Sequence, residues 1–311
     1  MSIKIFVKAK LADFTTFRLG GACPKLISCE TPEELEKVIS QLKDETLPFI
    51  LIGGGSNLVV SDQGLDCCVL RYVTDKPLLK REGNDVTVSG STSLDALALF
   101  TIEQGLEGLQ YTSGIPGTVG GAIVGNAGAF GKQVGDFLKS VILLSSKGER
   151  AKVGPENLGF SYRNSNLKER DAIVVSATFA LKPGNKEKLL GERKDILNVR
   201  KEKHPDLSKE PCAGSFFRNI EPTSKAEKRQ ATGYFLEQAG GKDLKHGGAY
   251  IYSKHANIII KGKDCTSQDV LELSKKMAAL AKEKFNLDLV REVRFVGKFE
   301  GKEQDKKTIV W

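Results

Sequence analysis

The run Gly114-Ile-Pro-Gly-Thr-Val-Gly-Gly-Ala-Ile-Val-Gly-Asn-Ala-Gly-Ala-Phe-Gly131 carries seven glycines in eighteen residues. Backbone this bare can approach a bulky ligand and aim its amides at an anion. No acidic residue lies between Gly108 and Gly135 to repel a phosphate. A second run, Gly53-Gly54-Gly55-Ser56-Asn57, lies upstream, and the two together could wrap one diphosphate. Neither is a dinucleotide fingerprint of the Gly-x-Gly-x-x-Gly kind: the first lacks the third glycine, and Gly114, Gly117 and Gly120 are spaced by threes. Nor is either a Walker loop, because Gly131-Lys132 is followed by Gln133 and position 126 is Asn126. Tight turns packed on a sheet would also account for such glycines. Pro116, a rigid point inside the run, and the polar Ser56 and Asn57 favour a sculpted phosphate cradle.

Regular elements must hold these runs in place. Thr31-Pro-Glu-Glu34 predicts a helix start with a capping box, continued by the apolar stripe Leu35, Val38, Ile39 and Leu42. Phe49–Ile52 then reads as a buried strand entering the first glycine run, with further strands at 69–72 and 86–88. Ser93 is placed to cap a helix that stops at Gly105. Strands are predicted at 140–145 and 172–181, and helices at 186–203, 231–239 and 267–285. Strands are also expected at 257–261 and 289–296, with a charged tail beyond. The elements do not alternate as in a doubly wound sheet, so the fold class is α+β. The expected division is a nucleotide-binding domain at 1–182, in lobes of about 1–75 and 76–182, then a second domain at 183–300 and a tail at 301–311.

Forty per cent hydrophobic and 28% charged residues are ordinary for a globular chain of 311 residues. No apolar run reaches the roughly 18 residues needed to span a bilayer, and the N-terminus lacks a signal-peptide core. A cytoplasmic location without membrane insertion is expected. The six cysteines have no metal or disulfide spacing and read as buried thiols; Cys212 stands out only for lying near Ser215. No metal site is expected. The net charge of +8 fits nucleic acid, an anionic small molecule or merely a basic proteome. Basic residues are scattered without interleaved aromatics, which argues against nucleic acid.

Several motifs in order carry a resemblance. Gly53 to Asn57 with Val60-Ser-Asp62, Gly114 to Ala122 with Asn126-Ala-Gly128, and Tyr162-Arg-Asn-Ser165 are followed by Ala213-Gly-Ser-Phe-Phe217, Asn219, Ser253-Lys-His-Ala-Asn257 and Glu292-Val-Arg294. From Thr15 to Gly297 the chain resembles the UDP-N-acetylenolpyruvoylglucosamine reductase family. The resemblance implies a two-lobed FAD-binding domain of the vanillyl-alcohol-oxidase/PCMH type plus a C-terminal α/β substrate domain. It implies FAD and NADPH as cofactors and UDP-N-acetylglucosamine enolpyruvate as substrate, reduced to UDP-N-acetylmuramate for peptidoglycan. The cofactor positions would be Gly53, Gly54, Gly55, Ser56, Asn57, Ser113, Gly114, Pro116, Gly117, Gly120, Gly121 and Asn126. No histidine precedes His204, so a histidyl flavin link in the first domain is excluded and dissociable FAD is expected. Only 52 residues separate Arg163 from Ser215, too few for the flap found in one branch of the family, which places the chain in the second type. A monomer is expected.

The same resemblance assigns roles. Arg163 would clamp the substrate carboxylate, a protonated Glu292 would hydrogen-bond the developing enolate, and Ser215 would deliver the proton. Tyr162, Asn219, His255 and Arg294 would serve the nucleotide-sugar end. Taken singly, Arg163 could be a surface cation, Ser215 a turn residue, Glu292 a solvent-facing strand residue and His255 a structural histidine. Arg218-Asn219-Ile220 and Val124-Gly125 depart from the usual family pattern. Two rival readings are a flavin oxidase of the same superfamily, which would reoxidise rapidly in air, and a colourless nucleotide-sugar binding protein.

Overall fold

A computed structural model describes residues 3–222 and 228–301, so residues 302–311 of the expected tail lie outside the described residues. The first lobe contains β1 (Lys4–Lys10), β2 (Ala22–Cys29), α1 (Pro32–Asp44), β3 (Phe49–Ile52), β4 (Leu58–Val60) and β5 (Cys68–Tyr72). Its sheet runs β1-β2-β5-β3, with β1 antiparallel and the other pairs parallel. The cap of α1 forms as spacing predicts, Thr31 Oγ1 accepting the Glu34 N–H at 3.3 Å. The reciprocal bond shifts by one residue: Glu34 accepts the N–H of Glu30 rather than that of the cap. Leu35, Val38, Ile39 and Leu42 are buried together with Ile27, Phe49 and Leu70, each side chain contributing about 1.5–3 kcal/mol.

The second lobe contains β6 (Leu79–Glu82), β7 (Asp85–Ser89), α2 (Leu94–Glu103), α3 (Val119–Gly125), β8 (Leu138–Leu144), β9 (Arg150–Val153) and β10 (Ile173–Ala180). Its antiparallel sheet has the order β9-β8-β10-β7-β6. The expected side-chain cap at Ser93 is absent. Ser93 is instead bridged to Thr118, and the Leu94 N–H donates to the Gly117 carbonyl at 3.0 Å. The start of α2 is thus tied to the second glycine run. That run is not all loop either: Val119–Gly125 form α3, capped by Thr118 Oγ1 on the Gly121 N–H.

Beyond them, besides short strand pairs and single turns, come α4 (Lys186–Lys203), α5 (Thr232–Gln238), β11 (Ala249–Ile251), β12 (Ile259–Lys261), α6 (Ser267–Phe285) and β13 (Arg294–Val296). Although α4 follows the expected division at 182 and 183, it packs on α2 and the turn Gln110–Thr112 of the second lobe. A full capping box starts α6, with Thr266 and Asp269 bonding each other's N–H groups at 3.1 and 2.9 Å. The last core joins Phe216, Ile258, Leu271, Met277 and Phe295 to Phe17 and Val59 from the N-terminal part. The expected strand 289–296 shortens to β13, because its earlier residues bond to Phe216 and Arg218 instead. β13 pairs in parallel with β4, which brings the end of the chain beside the first glycine run. Among the described residues, no helix is long and apolar enough to cross a membrane.

Candidate active site

A cavity of about 1130 Å³ lies where these units meet. That exceeds the ~1,000 Å³ upper end of ordinary small-molecule pockets and suits a dinucleotide-sized ligand with a second molecule. Both glycine runs line it, together with Arg163, Ser215, Glu292 and Arg294.

Several glycines are required by the contact between the runs themselves. A Cβ on Gly53 would meet Thr118 Oγ1 at 2.5 Å, and one on Gly54 would meet the Gly117 Cα at 3.2 Å. Gly117, at φ +116°, has Ser56 Oγ at 2.8 Å from where its Cβ would stand. Ser56 donates its hydroxyl to the Pro116 carbonyl, so that group joins the runs. The amides of Gly53, Gly54, Gly55, Ser56 and Asn57 have no acceptor among the described residues, nor do those of Gly117 and Thr118. Successive unpaired N–H groups form a nest for an anion. Gly120 donates its N–H to the Gly90 carbonyl at 2.9 Å, and a Cβ on it would meet that oxygen at 3.1 Å, so it serves helix packing. Gly120, Gly121 and Gly125 all line the cavity, and the last two lie one helical turn apart on α3 with open space before them. A Cβ on Gly121 would meet only Thr118 Oγ1 at 3.5 Å, and one on Gly125 nothing within 4 Å. That bare helical face beside unpaired amides fits a flat, diphosphate-bearing cofactor such as FAD.

Two expected cofactor residues lie outside the cavity lining. Ser113 is fully buried and donates its hydroxyl to the Gln110 carbonyl at 2.7 Å, away from the cavity lining. Asn126 is the left-handed cap of α3, buried, with Nδ2 on the Ser161 carbonyl at 2.9 Å and Oδ1 accepting the Gly135 N–H. It holds the turn that presents Arg163 and does not line the cavity.

Ser161 and Asn164 exchange two hydrogen bonds around a tight turn in which Arg163 has φ +56°. A non-glycine residue held there stores strain of order 1–3 kcal/mol. Lys168 stabilises the turn by donating to the Arg163 carbonyl at 2.7 Å. Arg163 Nε lies 3.3 Å from Glu292 Oε1 yet is buried and makes no hydrogen bond, because the N–H points off that oxygen. Burial pushes the Glu292 carboxyl above its ordinary value, outweighing the opposing pull of Arg163, Arg218 and Lys168. Ser215 is bridged to Ile258, and the next residue, Phe216, accepts the Glu292 N–H at 2.9 Å, so one pairing sets both side chains at the cavity. Asn57 completes the assembly, donating Nδ2 to the Glu292 carbonyl and accepting the Arg294 N–H.

Three expected substrate residues lie outside the lining: Tyr162, Asn219 and His255. The Tyr162 ring sits 4.0 Å from the Arg229 guanidinium and its hydroxyl accepts the Asn219 N–H. The Asn219 side chain accepts from the Thr232 N–H, which occupies its oxygen in a local turn. His255 is held beside His204, with Nδ1 accepting the Asn257 N–H, and burial lowers its pKa. Lys168, Arg200 and His204 also line the cavity, and no spacing rule in the sequence marks them. His204 is pushed down to about 4 by burial and by Arg200. All six cysteines are unbridged, and burial raises the Cys212 thiol.

Comparison with known proteins agrees with this geometry. Residues 205–296 match the family described as UDP-N-acetylenolpyruvoylglucosamine reductase, C-terminal domain, and residues 24–154 match the FAD binding domain family. A UDP-N-acetylenolpyruvoylglucosamine reductase of Lactobacillus acidophilus is 34% identical over 95% of this chain and 96% of its own length. One from Bacillus pumilus is 35% identical over 94% of each. The crystal structure of the Thermus caldophilus reductase superposes with a TM-score of 0.77 at 30% identity, covering 96% of this chain and all of the other.

Proposed function

Since this chain belongs to the UDP-N-acetylenolpyruvoylglucosamine reductase family, we propose that Arg163, Glu292 and Ser215 carry its reaction, the NADPH-dependent reduction of UDP-N-acetylglucosamine enolpyruvate to UDP-N-acetylmuramate. When bound, FAD would supply the hydride-transfer chemistry that links NADPH to the β-carbon of the enol ether. Gly53 to Asn57 and Gly117-Thr118 hold its diphosphate by their unpaired amides, and α3 offers the bare surface beside them.

The chain's own task is to manage charge and one proton. As hydride arrives, negative charge builds on the substrate carboxylate. Arg163 meets it with a buried N–H that has no hydrogen-bond partner among the described residues. Glu292, favoured in its protonated form by burial, donates a hydrogen bond to the same group. Ser215 passes its proton to the α-carbon and recovers one from solvent; the cations Arg163 and Arg294 on the cavity wall stabilise its alkoxide in the interval. Every residue invoked comes from one chain, so a monomer suffices. The substrates are soluble anions, which suits a cytoplasmic site, and the cationic groups line a cavity rather than a nucleic-acid track.

The observation that carries the reading is the meeting of Arg163, Ser215 and Glu292 on the wall that also holds both glycine runs. Ser215→Ala tests it in two half-reactions. NADPH should still bleach the flavin of the variant, whereas return of colour on adding the enolpyruvyl substrate should slow by roughly 10²–10⁴-fold. Return at the parent rate would remove Ser215 from the mechanism.

A further inference from the structure

The turn that opens the second glycine run is gripped from both sides. Thr112, Ser113, Gly114 and Ile115 form a four-residue turn closed by the Ile115 N–H on the Thr112 carbonyl at 3.0 Å. Ser113 has φ −50° and ψ 126°, and Gly114 has φ +73°, the conformation of a type II turn with glycine where type II requires it. A type I turn differs mainly by reversal of the central peptide, the one joining Ser113 to Gly114. Both poles of that peptide are occupied. Its N–H donates to Asp95 Oδ1 at 2.7 Å, and its carbonyl accepts from Arg200 Nε at 2.7 Å.

The grips come from α2 and α4 acting together. Asp95, in the first turn of α2, is itself held by Arg193 through two bonds of 2.6 and 2.8 Å. The Arg193 side chain is 13% exposed and that of Asp95 37%, so the fork is buried on the arginine side and reaches water on the carboxylate side. Arg193, Leu197 and Arg200 recur at helical spacing and share one face of α4. Leu197 Cδ2 and Arg200 Cδ lie 2.8 and 3.0 Å from where a Gly114 Cβ would stand, so this face is seated directly on the turn. Reversing the peptide would set its carbonyl against the Asp95 carboxylate and its N–H against the Arg200 guanidinium.

We propose that this clamp is a positioning device for the cofactor: Asp95, oriented by Arg193, and Arg200 lock the Ser113–Gly114 peptide, and the lock sets the affinity for FAD. The proposal rests on the FAD reading of the cavity. Gly114, Pro116 and Gly117 line the cavity, and Gly117 carries one of the unpaired amides, so a reversed peptide would misaim the segment that meets the diphosphate.

Three variants of the full chain separate positioning from plain stability. In each, FAD is titrated into apoprotein by flavin fluorescence, and thermal unfolding of the apoprotein is recorded. Asp95→Ala removes the peptide's acceptor and should weaken FAD binding roughly tenfold to a hundredfold. Asp95→Asn keeps an acceptor oxygen but loses the ion pair; it should melt earlier while binding FAD within about threefold of the parent. Asp95→Arg combined with Arg193→Asp restores opposite charges between α2 and α4 but leaves the Gly114 N–H without an acceptor. It should regain melting temperature and not FAD affinity. Parent affinity in the charge swap, or in Asp95→Ala, would overturn the proposal, and should Asp95→Ala not fold, the other two decide. If the parent chain itself bound no FAD, the functional reading would fall instead.

Discussion

Replacing Gly121 and Gly125 together by alanine should make the apoprotein more stable and the FAD complex weaker. Both glycines lie in α3 at φ values that alanine adopts, and the protein places no atom closer than 3.5 Å to either new methyl. Glycine costs a helix interior about 0.8–1 kcal/mol relative to alanine. Gly125 is the last helical residue and counts for less, so the pair should gain roughly 1–1.5 kcal/mol. For a chain of this size that is a rise of about 2–5 °C in the apoprotein melting temperature. Both methyls would project into the cavity, where a ligand packed on the bare face must yield. Overpacking by such groups costs about 1–3 kcal/mol, a loss of roughly fivefold to 150-fold in FAD affinity. Differential scanning fluorimetry of the apoprotein and flavin fluorescence titration measure the two quantities separately. Parent FAD affinity with raised stability would show that the bare face is not the cofactor's seat. Lowered stability would show that the space in front of these glycines is not open.

Arg163→Lys keeps the charge but loses the planar fork, and kcat/KM for the enolpyruvyl substrate should fall about 10²-fold or more, with flavin reduction by NADPH little changed. Parent kcat/KM would show that a point charge suffices there. The Glu292 carboxyl is pushed up by burial, so it binds its proton more tightly in the folded chain than in the unfolded one. Its contribution to stability is complete below the ordinary glutamate value of about 4.3 and is lost as pH rises through the raised value. Thermal melts of Glu292→Gln should therefore gain on the parent as pH increases from 4 to 7, and an opposite trend would refute the assignment. His204, depressed to about 4, is neutral in the folded chain near pH 7. Its contribution is present above the ordinary value of about 6.5 and is lost as pH falls through about 4. Its ring proton resonances should stay constant from pH 8 to 5, and a titration centred near 6.5 would contradict this burial.

What the sequence made legible follows from local chemistry. Thr31, Pro32 and the stripe from Leu35 to Leu42 specify α1 within a dozen residues, and Thr266 with Asp269 starts α6 by the same logic. β1 and β6 were not foreseen, because their residues are largely exposed and show no buried alternation. α3 was concealed by composition: glycines that normally break a helix are tolerated there by the Thr118 cap and the packing of Gly120 on Gly90. In the candidate site, the motifs point to Arg163, Ser215, Glu292 and both glycine runs, which line one cavity. Motif membership carries no sign of which residues turn inward, and Ser113 and Asn126 hold turns behind the cavity wall. The joining of Asn57 to Glu292 spans 235 residues, a distance across which no periodicity or cap carries a signal. Arg193 and Arg200 enter only through such long-range packing.

The filled cavity gives the most direct test. The chain is reconstituted with FAD, bleached anaerobically with one equivalent of NADPH, and then given UDP-N-acetylglucosamine enolpyruvate while the visible spectrum is followed. Full return of the flavin colour, with UDP-N-acetylmuramate formed in equal amount, is the expected result. A flavin that binds and bleaches but stays colourless until air is admitted would contradict the central claim.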